Sequence, residues 1–396
     1  MKKILILSFV LCSIFAKANI QLSDSSYISL LTCEPAEAIY ARFWHSAIRV
    51  CDEKNNIDNA YNYGIFDFST PYFIPKFIKG HTDYMLDVYP MEYFMSSYIT
   101  RQSTVYEQIL SLSQEEKQAL FDALEENYRP ENRVYRYNFV YDNCATRDYY
   151  IIKRILDQSG QTMVITYPNK NKSYRGVFEE FLGRDNWQRF AIDVVIGQEA
   201  DSPITTESLI AFPKYTMDIM AATALVKDTI NKPLVLQTNT LTEYPIKIPS
   251  ENSIFRPTIV CSLLLIIVVF ISFWWWRKEK YPAWLDFVLF LICGIMGSVV
   301  FYLMFLSTHP LVHYNYNLLW LNPLQLIFAF LLLNKKWRKP LSYFAIVNAF
   351  ATLLAIIVFV TRFQIMHASF LALMAMMLVR SLLFYQQNIN KRDKTI

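Results

Sequence analysis

Hydrophobic residues are distributed very differently in the two parts of the 396-residue chain. Beyond about residue 255 the chain is dominated by apolar stretches, each close to the roughly 20 residues that a membrane-spanning helix requires. Five such stretches lie at about 257–276, 283–306, 317–334, 341–361 and 365–385. Residues 19–255 are mixed in polarity and numerous enough to enclose a hydrophobic core. The pattern predicts a water-exposed domain at 19–255 and a five-span transmembrane domain at 256–396.

The N-terminus has the pattern of a secretory signal peptide. Lysines precede an apolar run at 4–15, and Ala16 and Ala18 form a small-x-small cleavage motif. This order of basic, apolar and small residues directs export. The sequence therefore predicts a signal peptide at residues 1–18, and an uncleaved membrane anchor is the alternative.

Basic residues between the predicted spans indicate the orientation in the membrane. The loops after the first and third spans and the C-terminal tail are rich in Lys and Arg, whereas residues 307–316 contain neither. Positively charged loops tend to remain in the cytoplasm. The domain at 19–255 is therefore predicted outside the cytoplasm and the C-terminus inside, in agreement with the signal peptide.

Composition agrees with membrane content and gives no reason to expect a nucleic-acid partner. The mean hydropathy of +0.19 is high for a water-soluble protein. The net charge is only +4, far from the strongly basic balance of proteins that bind nucleic acids.

Residues 19–255 carry the signals of a mixed domain of strands and helices. The segments 40–50 and 60–68 have the length and apolar content of strands. A capping box at 113–116 marks the start of a helix, and 134–141 returns as an extended segment. We therefore predict an α+β fold for this domain.

A cysteine stands at the predicted start of another helix, in the stretch YDNCATR. Asn143 or Asp142 is suited to cap this helix, which places Cys144 in the first turn. Free backbone amides and the helix dipole favour a thiolate there, and Arg136 and Arg147 would add positive charge. Cys144 is therefore a candidate nucleophile, and a small buried apolar residue is the alternative.

A thiol nucleophile usually works with a base. The predicted domain has two histidines, His45 and His81. His45 begins an apolar strand and is followed by small residues that leave room for a substrate, whereas His81 lies in a predicted turn. A third group must orient the imidazole, and Asn62 on the next strand is the first choice, with Asp67 as the second. The candidate catalytic residues are therefore Cys144, His45 and Asn62.

The same residues resemble two known groups of proteins. A His at a strand start, followed downstream by Asn-Cys at a helix start, is similar to the circularly permuted branch of the NlpC/P60 papain-like thiol enzymes. The blocks FWHSAIRV, YNYGIFDF, YDNCATRD and HPLVHYNYNLLWLNPLQL resemble the Lnb family, the lipoprotein N-acyltransferases of Bacteroides-type bacteria. Trp44 stands where that family tends to have Gly, and Glu34 and Ala36 stand in a stretch that it has rich in Gly.

The resemblance implies a catalytic domain with an antiparallel sheet and a nucleophile helix in the periplasm, on a membrane domain in the bacterial inner membrane. It implies transfer of a fatty acyl group from a phospholipid to the N-terminal Cys amine of a diacylated lipoprotein. The acyl group would pass through a thioester on Cys144, with His45 as acid and base. The implied partners are the phospholipid donor, the lipoprotein acceptor and the bilayer, and no cofactor is implied.

The second outer loop brings further polar residues to the membrane surface. His309, His313 and Asn317 lie in the stretch at 307–317, and polar groups at this depth are often functional. They are candidates for contact with a phospholipid headgroup or with the N-terminal domain. The spacing of the two histidines also fits metal ligands on a helix, but Pro310 and the lack of an accompanying carboxylate argue against a metal site.

Cysteine usage allows one disulfide in the exported domain. A bond between Cys33 and Cys51 would leave Cys144 as a free thiol. This pairing is a hypothesis, because sequence spacing does not establish the geometry that a disulfide needs.

Other functions fit the same catalytic residues. A cell-wall amidase or endopeptidase is the commoner activity of NlpC/P60 relatives, but it gives the spans no role. A phospholipase or thioesterase would pass the acyl group to water, since the choice of acceptor depends on the exclusion of water. A non-enzymatic membrane assembly or sensor module would have a degenerate site, whereas Cys144 and His45 are both present.

Overall fold

The computed structural model describes residues 20–36, 42–168, 171–245, 253–278 and 283–389 of the chain. The predicted signal peptide at 1–18 lies outside these residues. The described part forms a domain of sheets and helices up to residue 245 and a helical membrane domain beyond it.

The strands are β1 Tyr27–Cys33, β2 His45–Asp52, β3 Ile57–Ile65, β4 Asp83–Pro90, β5 Val105–Leu110, β6 Val134–Arg136, β7 Thr162–Ile165, β8 Thr223–Lys227, β9 Ile230–Pro233 and β10 Val235–Thr242. A seven-stranded sheet has the order β10-β5-β1-β2-β3-β4-β6, and a three-stranded sheet has the order β7-β8-β9. Their strand pairs are antiparallel. The prediction of an α+β domain is confirmed.

The interior strand β1 is apolar on both faces, because both faces are covered. Ile28 and Leu30 belong to one buried apolar cluster. Leu31 and Cys33, which point to the opposite face of a strand, belong to another. The sheet is therefore an inner layer of the domain, and β2 and β3 beside it carry residues of the candidate site.

The helices of this domain are α1 Phe73–Lys79, α2 Met91–Arg101, α3 Gln114–Tyr128, α4 Cys144–Gln158, α5 Tyr174–Leu182, α6 Trp187–Val195, α7 Thr206–Leu209 and α8 Pro213–Ala221. The predicted capping box of α3 is confirmed: the Ser113 hydroxyl accepts from the Glu116 amide, and the Glu116 carboxylate accepts from the Ser113 amide. The extended segment predicted at 134–141 is a strand only in β6. The chain turns after β6, because Asn138 Oδ1 accepts hydrogen bonds from the amides of Val140 and Tyr141.

Among the described residues of the membrane domain, four helices are long and apolar enough to cross a bilayer, by length and composition. They are α9 Pro257–Arg277, α10 Ala283–Leu306, α12 Arg338–Thr361 and α13 Ser369–Ile389. The third predicted span, at 317–334, is not one continuous helix. It consists of a 3-10 turn at Tyr316–Leu319 and the helix α11 Leu324–Leu332. Pro323 lacks the amide hydrogen that would continue the turn into a longer helix, and the nine residues of α11 rise only about 14 Å.

The interrupted segment nevertheless runs from one end of α12 to the other. At its beginning, the Tyr316 amide donates to Gln364 Oε1 at 2.8 Å, just beyond the C-terminal end of α12. At its end it leads into Arg338, the first residue of α12. The segment also packs closely on α10, because a Cβ at Gly294 would lie 2.3 Å from the amide nitrogen of Leu326.

Helix α6 joins the two domains. Phe190 and Val194 pack into the apolar core of the membrane domain, which also contains Trp320. Asn317 Nδ2 donates to the carbonyl oxygens of Asp193 and Val194 at 2.8 and 3.1 Å. The N-terminal domain is therefore docked on the membrane domain through both apolar side chains and backbone groups of α6.

Buried ion pairs hold α6 on its other side. Arg175 on α5 pairs with Asp193 at 2.6 Å and with Asp201 at 2.5 Å, and Arg189 reaches the second oxygen of Asp193 at 2.8 Å. Asp201 also accepts from the amide of Ile365, in the loop between α12 and α13, at 3.0 Å. Because these charges are buried away from water, the loss of one would leave its partners uncompensated. The ion pairs therefore hold α5, α6 and the loop after α12 in one arrangement.

The hypothesised disulfide between Cys33 and Cys51 is wrong, because both thiols are free. In the register of β1 and β2, Cys33 lies opposite His45, whereas Cys51 lies opposite Tyr27. Positions 45 and 51 are six residues apart along β2, which corresponds to about 20 Å at about 3.3 Å per residue. A disulfide requires Cα atoms about 5.5 Å apart.

Candidate active site

Cys144 is the first residue of α4 and is 8% exposed. Asn143 caps the helix: its Oδ1 accepts from the Thr146 amide at 3.1 Å, and Thr146 Oγ1 accepts from the Asn143 amide at 2.8 Å. Asn143 Nδ2 donates to the carbonyl oxygens of Phe139 and Ala211 at 2.9 and 2.7 Å. The cap fixes the thiol at the positive end of the helix dipole.

His45 and Asn62 meet beside this thiol. His45 is the first residue of β2, and its Nε2 lies 2.6 Å from Asn62 Oδ1 on β3. Because Nε2 is engaged with Asn62, Nδ1 is the ring nitrogen left for Cys144, with which the imidazole also hydrogen-bonds. A Cβ at Gly64 would lie 3.8 Å from His45 Cε1 and 3.9 Å from Cys144 Cβ. The structure thus brings together the three residues that the sequence singles out for catalysis.

The electrostatics of the site favour a charged pair. Burial raises the pKa of the Cys144 thiol, but the charge of His45 and hydrogen bonds from His45 and Ser46 outweigh it, so that this pKa falls below its ordinary value. Burial lowers the pKa of His45, but the charge of Cys144 and hydrogen bonds to Cys144 and Asn62 raise it to about 9. A thiolate beside an imidazolium is the activated state of a cysteine nucleophile.

The two arginines predicted to support the thiolate are engaged elsewhere. Arg147 binds both carboxylate oxygens of Asp142, at 2.6 and 2.8 Å, and its guanidinium lies 3.6 Å from the centroid of the Tyr135 ring. Arg136 pairs with Asp83 at 2.7 Å in an exposed position. The positive charge that acts on Cys144 is therefore chiefly that of the imidazole.

The second choices for the base and its orienting group take other contacts. Asp67 closes an exposed turn, in which it accepts from the amide and the hydroxyl of Ser69 at 2.8 and 2.6 Å. The His81 amide donates to the carbonyl oxygen of Lys76 at 2.8 Å, just after α1. Asn62 is accordingly the residue that holds His45.

The polar residues of the second outer loop contact the N-terminal domain. His309 Nε2 lies 2.6 Å from the carbonyl oxygen of Phe77, and His313 Nδ1 lies 3.5 Å from a carboxylate oxygen of Glu199. Asn317 binds the backbone of α6, as described above. These residues therefore build the junction between the domains, and none of these contacts involves His45 or Cys144.

Asp148 is a buried residue next to the site that the sequence analysis missed. It is fully buried, and the Ser46 hydroxyl is the hydrogen-bonding group that faces its carboxyl. Burial and the charge of Cys144 raise its pKa well above the ordinary value, against the opposing effects of Ser46 and His45. Its surroundings therefore favour the protonated form of a carboxyl group one helical turn from the nucleophile. The spacing of four residues from Cys144 on one helix is the signal that could have identified it.

The two departures from the family pattern meet in one contact. Trp44 has φ +65°, a left-handed conformation that costs a residue with a side chain about 1–2 kcal/mol and that Gly adopts freely. The Trp44 ring stacks on Tyr106 with a centroid distance of 6.4 Å, and the Tyr106 hydroxyl donates to Glu34 at 2.8 Å. Side-chain packing on Tyr106 thus offsets the backbone strain next to His45.

The fold and the site together define a membrane protein whose exported domain carries a cysteine–histidine pair of the kind used by thiol enzymes. The family model of the Lnb N-terminal periplasmic domain matches residues 15–169, and that of the Lnb transmembrane domain matches residues 249–392. The chain belongs to the Lnb family. This membership indicates a membrane protein of lipoprotein processing with its N-terminal domain in the periplasm. No curated protein and no solved structure gave a significant match.

Proposed function

We propose that this protein transfers a fatty acyl group from a membrane phospholipid to the N-terminal Cys amine of a diacylated lipoprotein. The observation that carries the proposal is the set of Cys144, His45 and Asn62 in a domain that α6 docks on the membrane helices. A nucleophile held in this way meets substrates that are themselves embedded in the bilayer. Hydrolysis of a soluble cell-wall peptide would leave the membrane domain without a role.

In the first half of the reaction, the Cys144 thiolate attacks the carbonyl carbon of a phospholipid ester. A bond forms between sulfur and carbon, and the bond from that carbon to the glycerol oxygen breaks. The His45 imidazolium gives its proton to the departing lysophospholipid oxygen. The products are a thioester on Cys144 and a neutral imidazole.

In the second half, the lipoprotein amine attacks the thioester carbonyl. A bond forms between nitrogen and carbon, the bond from carbon to sulfur breaks, and His45 accepts the proton that the amine loses. An ordinary α-amine has a pKa of about 8, so part of it is neutral and nucleophilic near pH 7. The thiolate–imidazolium pair is restored at the end of the cycle.

The surrounding groups have roles in both halves. Asn62 keeps Nδ1 of His45 directed at the sulfur through its bond to Nε2. The tetrahedral intermediates carry negative charge on the former carbonyl oxygen, which backbone amides stabilise. The amide of Cys144, at the start of α4, is the donor that we assign to this oxyanion.

We further propose that the chain crosses the inner membrane five times and ends in the cytoplasm. The interrupted segment with α11 spans the length of α12, whose 24 residues rise about 36 Å, more than the roughly 30 Å of a bilayer core. The basic residues between α11 and α12 fit a cytoplasmic loop. A reporter enzyme that is active only in the periplasm, fused after Ile389, tests this topology: activity at that position would mean an even number of crossings.

The acyl-transfer proposal is tested by mass spectrometry of the N-terminal peptide of one lipoprotein. The host would lack its own N-acylation and express the wild type, Cys144→Ala or Cys51→Ala. Cys51 is the matched control, because it is another buried thiol of the same domain at the far end of β2. We expect an amide-linked acyl chain with the wild type and Cys51→Ala, and none with Cys144→Ala.

Two results would overturn the proposal. One is an acyl chain added equally by Cys144→Ala, which would exclude a thioester on Cys144 as the intermediate. The other is an unmodified lipoprotein although the wild type is present in the membrane. If free fatty acid accumulates in that case, and does so only with Cys144 intact, the protein is a lipid hydrolase that uses the same residues.

A further inference from the structure

The region around α1 exposes an unusual amount of apolar surface. The exposed side chains, called the apolar strip below, are Phe68, Tyr72, Ile74, Phe77 and Ile78. Helix α1 itself buries only Phe73, while Ile74 is 59% and Tyr72 78% exposed. A contiguous apolar patch of this kind marks an interaction surface, and a helix this short is marginal in water without such a partner.

The apolar strip lies next to the outer end of a membrane helix. Helix α10 ends at Leu306, which is 57% exposed. Two residues later, the Thr308 amide and hydroxyl donate to the carbonyl oxygen of Lys79 at 2.9 and 3.1 Å. His309 Nε2 contacts the carbonyl oxygen of Phe77 at 2.6 Å. Helix α1 is thus bonded to the chain at the point where the apolar surface of α10 ends.

Gly80 makes this close approach possible. It has φ +80°, and a Cβ at this position would lie 2.7 Å from Thr308 Oγ1 and 3.1 Å from the His309 amide nitrogen. A residue with a side chain would meet both backbone strain and the outer loop of the membrane domain. The end of α1 is therefore built to rest directly on that loop.

Aromatic rings connect the apolar strip with the nucleophile. Phe77 stacks with Phe73 at a centroid distance of 6.2 Å, and Phe73 stacks with Phe66 at 5.9 Å. Phe66 is two residues beyond Gly64, where a Cβ would lie 3.9 Å from Cys144 Cβ. A row of packed aromatic rings therefore leads from the outer end of α10 to Phe66, two residues along the chain from the glycine that contacts the candidate active site.

We propose that the apolar strip docks in the outer leaflet of the membrane and guides a phospholipid acyl chain past Phe66 to Cys144. A bilayer fits better than a protein partner, because the strip continues the apolar surface of α10. Lys76 and Lys79 on α1 are exposed beside it, and positive charge next to apolar side chains is typical of helices that lie in a phospholipid surface. The inference deepens the proposed function and rests on it for the identity of the acyl donor.

The docking itself is tested with spin labels on the full-length protein in nanodiscs of phosphatidylethanolamine and phosphatidylglycerol. Labels are placed at Ile74→Cys and, as the control, at Ile230→Cys, an equally exposed position (64%) on β9. Both chains carry Cys144→Ala so that the reactive thiol takes no label. We expect the label at 74 to collide at least several-fold more with oxygen, which dissolves in lipid, than with a water-soluble nickel chelate, and the label at 230 to show the reverse.

Two outcomes of the labelling would overturn the docking. Equal access of the nickel chelate to positions 74 and 230 would mean that the strip faces water. Protection of position 74 from both reagents would mean that a protein, such as a second copy of the chain, covers the strip.

A second measurement separates this inference from the proposed function. The double variant Ile74→Glu, Ile78→Glu should lose at least tenfold in acyl transfer from nanodisc phospholipid, while iodoacetamide still alkylates its Cys144 at the wild-type rate. Leu236→Glu, on the exposed strand β10, is the control and should transfer normally. Unchanged transfer by the double variant would overturn the guiding role. Absence of transfer by the wild type, with position 74 still immersed in lipid, would instead contradict the proposed function alone.

Discussion

Replacing Asn62 by Ala removes the hydrogen bond that orients His45, and its effect on Cys144 can be estimated from the geometry. The bond is short, 2.6 Å, and the imidazole that makes it is charged in the ion pair. Hydrogen bonds to charged groups contribute about 1.5–3 kcal/mol and those between neutral groups about 0.5–1.5 kcal/mol. The charged imidazole therefore loses about 1–1.5 kcal/mol more than the neutral one, which is about a five- to tenfold shift away from the ion pair.

The shift is measured through the reactivity of Cys144. Loss of the bond weakens the positive charge that lowers the pKa of the thiol, so the pH profile of alkylation should move to higher pH. Below the pKa of the wild-type thiol, iodoacetamide should react about five- to tenfold more slowly with Asn62→Ala. At pH 10, where both thiols are ionised, the rates should converge. Mass spectrometry of the peptide that contains Cys144 gives the rates.

The control is Asn59→Ala. Asn59 lies on the same strand, three positions earlier, and therefore on the opposite face of β3. Its variant should keep the wild-type profile. Identical profiles for Asn62→Ala and the wild type would refute the role of the amide. Slowing by the same factor at every pH would refute the electrostatic reasoning, because it would report reduced access to the thiol rather than a smaller thiolate fraction.

Three further substitutions test the structure around the site. Arg175→Met leaves buried carboxylates without their cation and should lower the free energy of unfolding by about 3–5 kcal/mol. The control in thermal unfolding in detergent is Arg184→Met: the Arg184 side chain is 83% exposed, and its loss should lower the free energy of unfolding by about 0–1 kcal/mol. Gly80→Ala adds a tight contact to the strain of a φ of +80°, whereas Gly160→Ala has the same φ and its nearest atom at 3.8 Å. Both variants should lose about 1–2 kcal/mol in the free energy of unfolding from the backbone. Equal losses in the two variants would contradict the tight contact at Gly80. Because the pKa of Asp148 is raised, its carboxyl group should contribute a loss of stability as the pH rises above about 4, the ordinary pKa of Asp, towards that raised value. The stability of Asp148→Asn relative to the wild type should therefore increase between pH 4 and pH 8, and an unchanged difference, measured by denaturation at both pH values, would mean that the carboxyl group is compensated.

The candidate catalytic residues could be predicted because the sequence patterns that indicate them lie within one helical turn or on consecutive strands. Cys144 and its cap lie within one helical turn. His45 and Asn62 lie on consecutive strands, and a register that pairs Ile48 with Tyr61 puts Gly64 opposite His45 when it is extended. Asn62 is then a diagonal neighbour of His45 on the same face of the sheet, within reach of its side chain.

The features that escaped prediction depend on distant parts of the chain. The sequence leaves open whether Asn317 contacts a headgroup or the N-terminal domain, because the backbone that it binds lies 124 positions earlier. The hydrophobicity of the segment with α11 predicts a continuous helix, because an average over 20 residues does not register the single Pro323 that interrupts it. The hypothesis of a disulfide failed for the same reason, since only the register of β1 and β2 reveals how far apart Cys33 and Cys51 lie.

The rigid seat of α6 on the membrane domain has a consequence for how such a protein would choose its substrates. Because Asn317 of the membrane domain and Arg175 on α5 both bind α6, the candidate nucleophile is held at a fixed height relative to the membrane helices. An amine anchored by its own lipid lies at a similar height whatever residues follow it, while an amine in solution or far from the lipid anchor along a polypeptide does not. Recognition would then depend on height rather than on sequence, and one protein could serve a whole population of lipid-anchored proteins that share no sequence motif beyond the anchored residue.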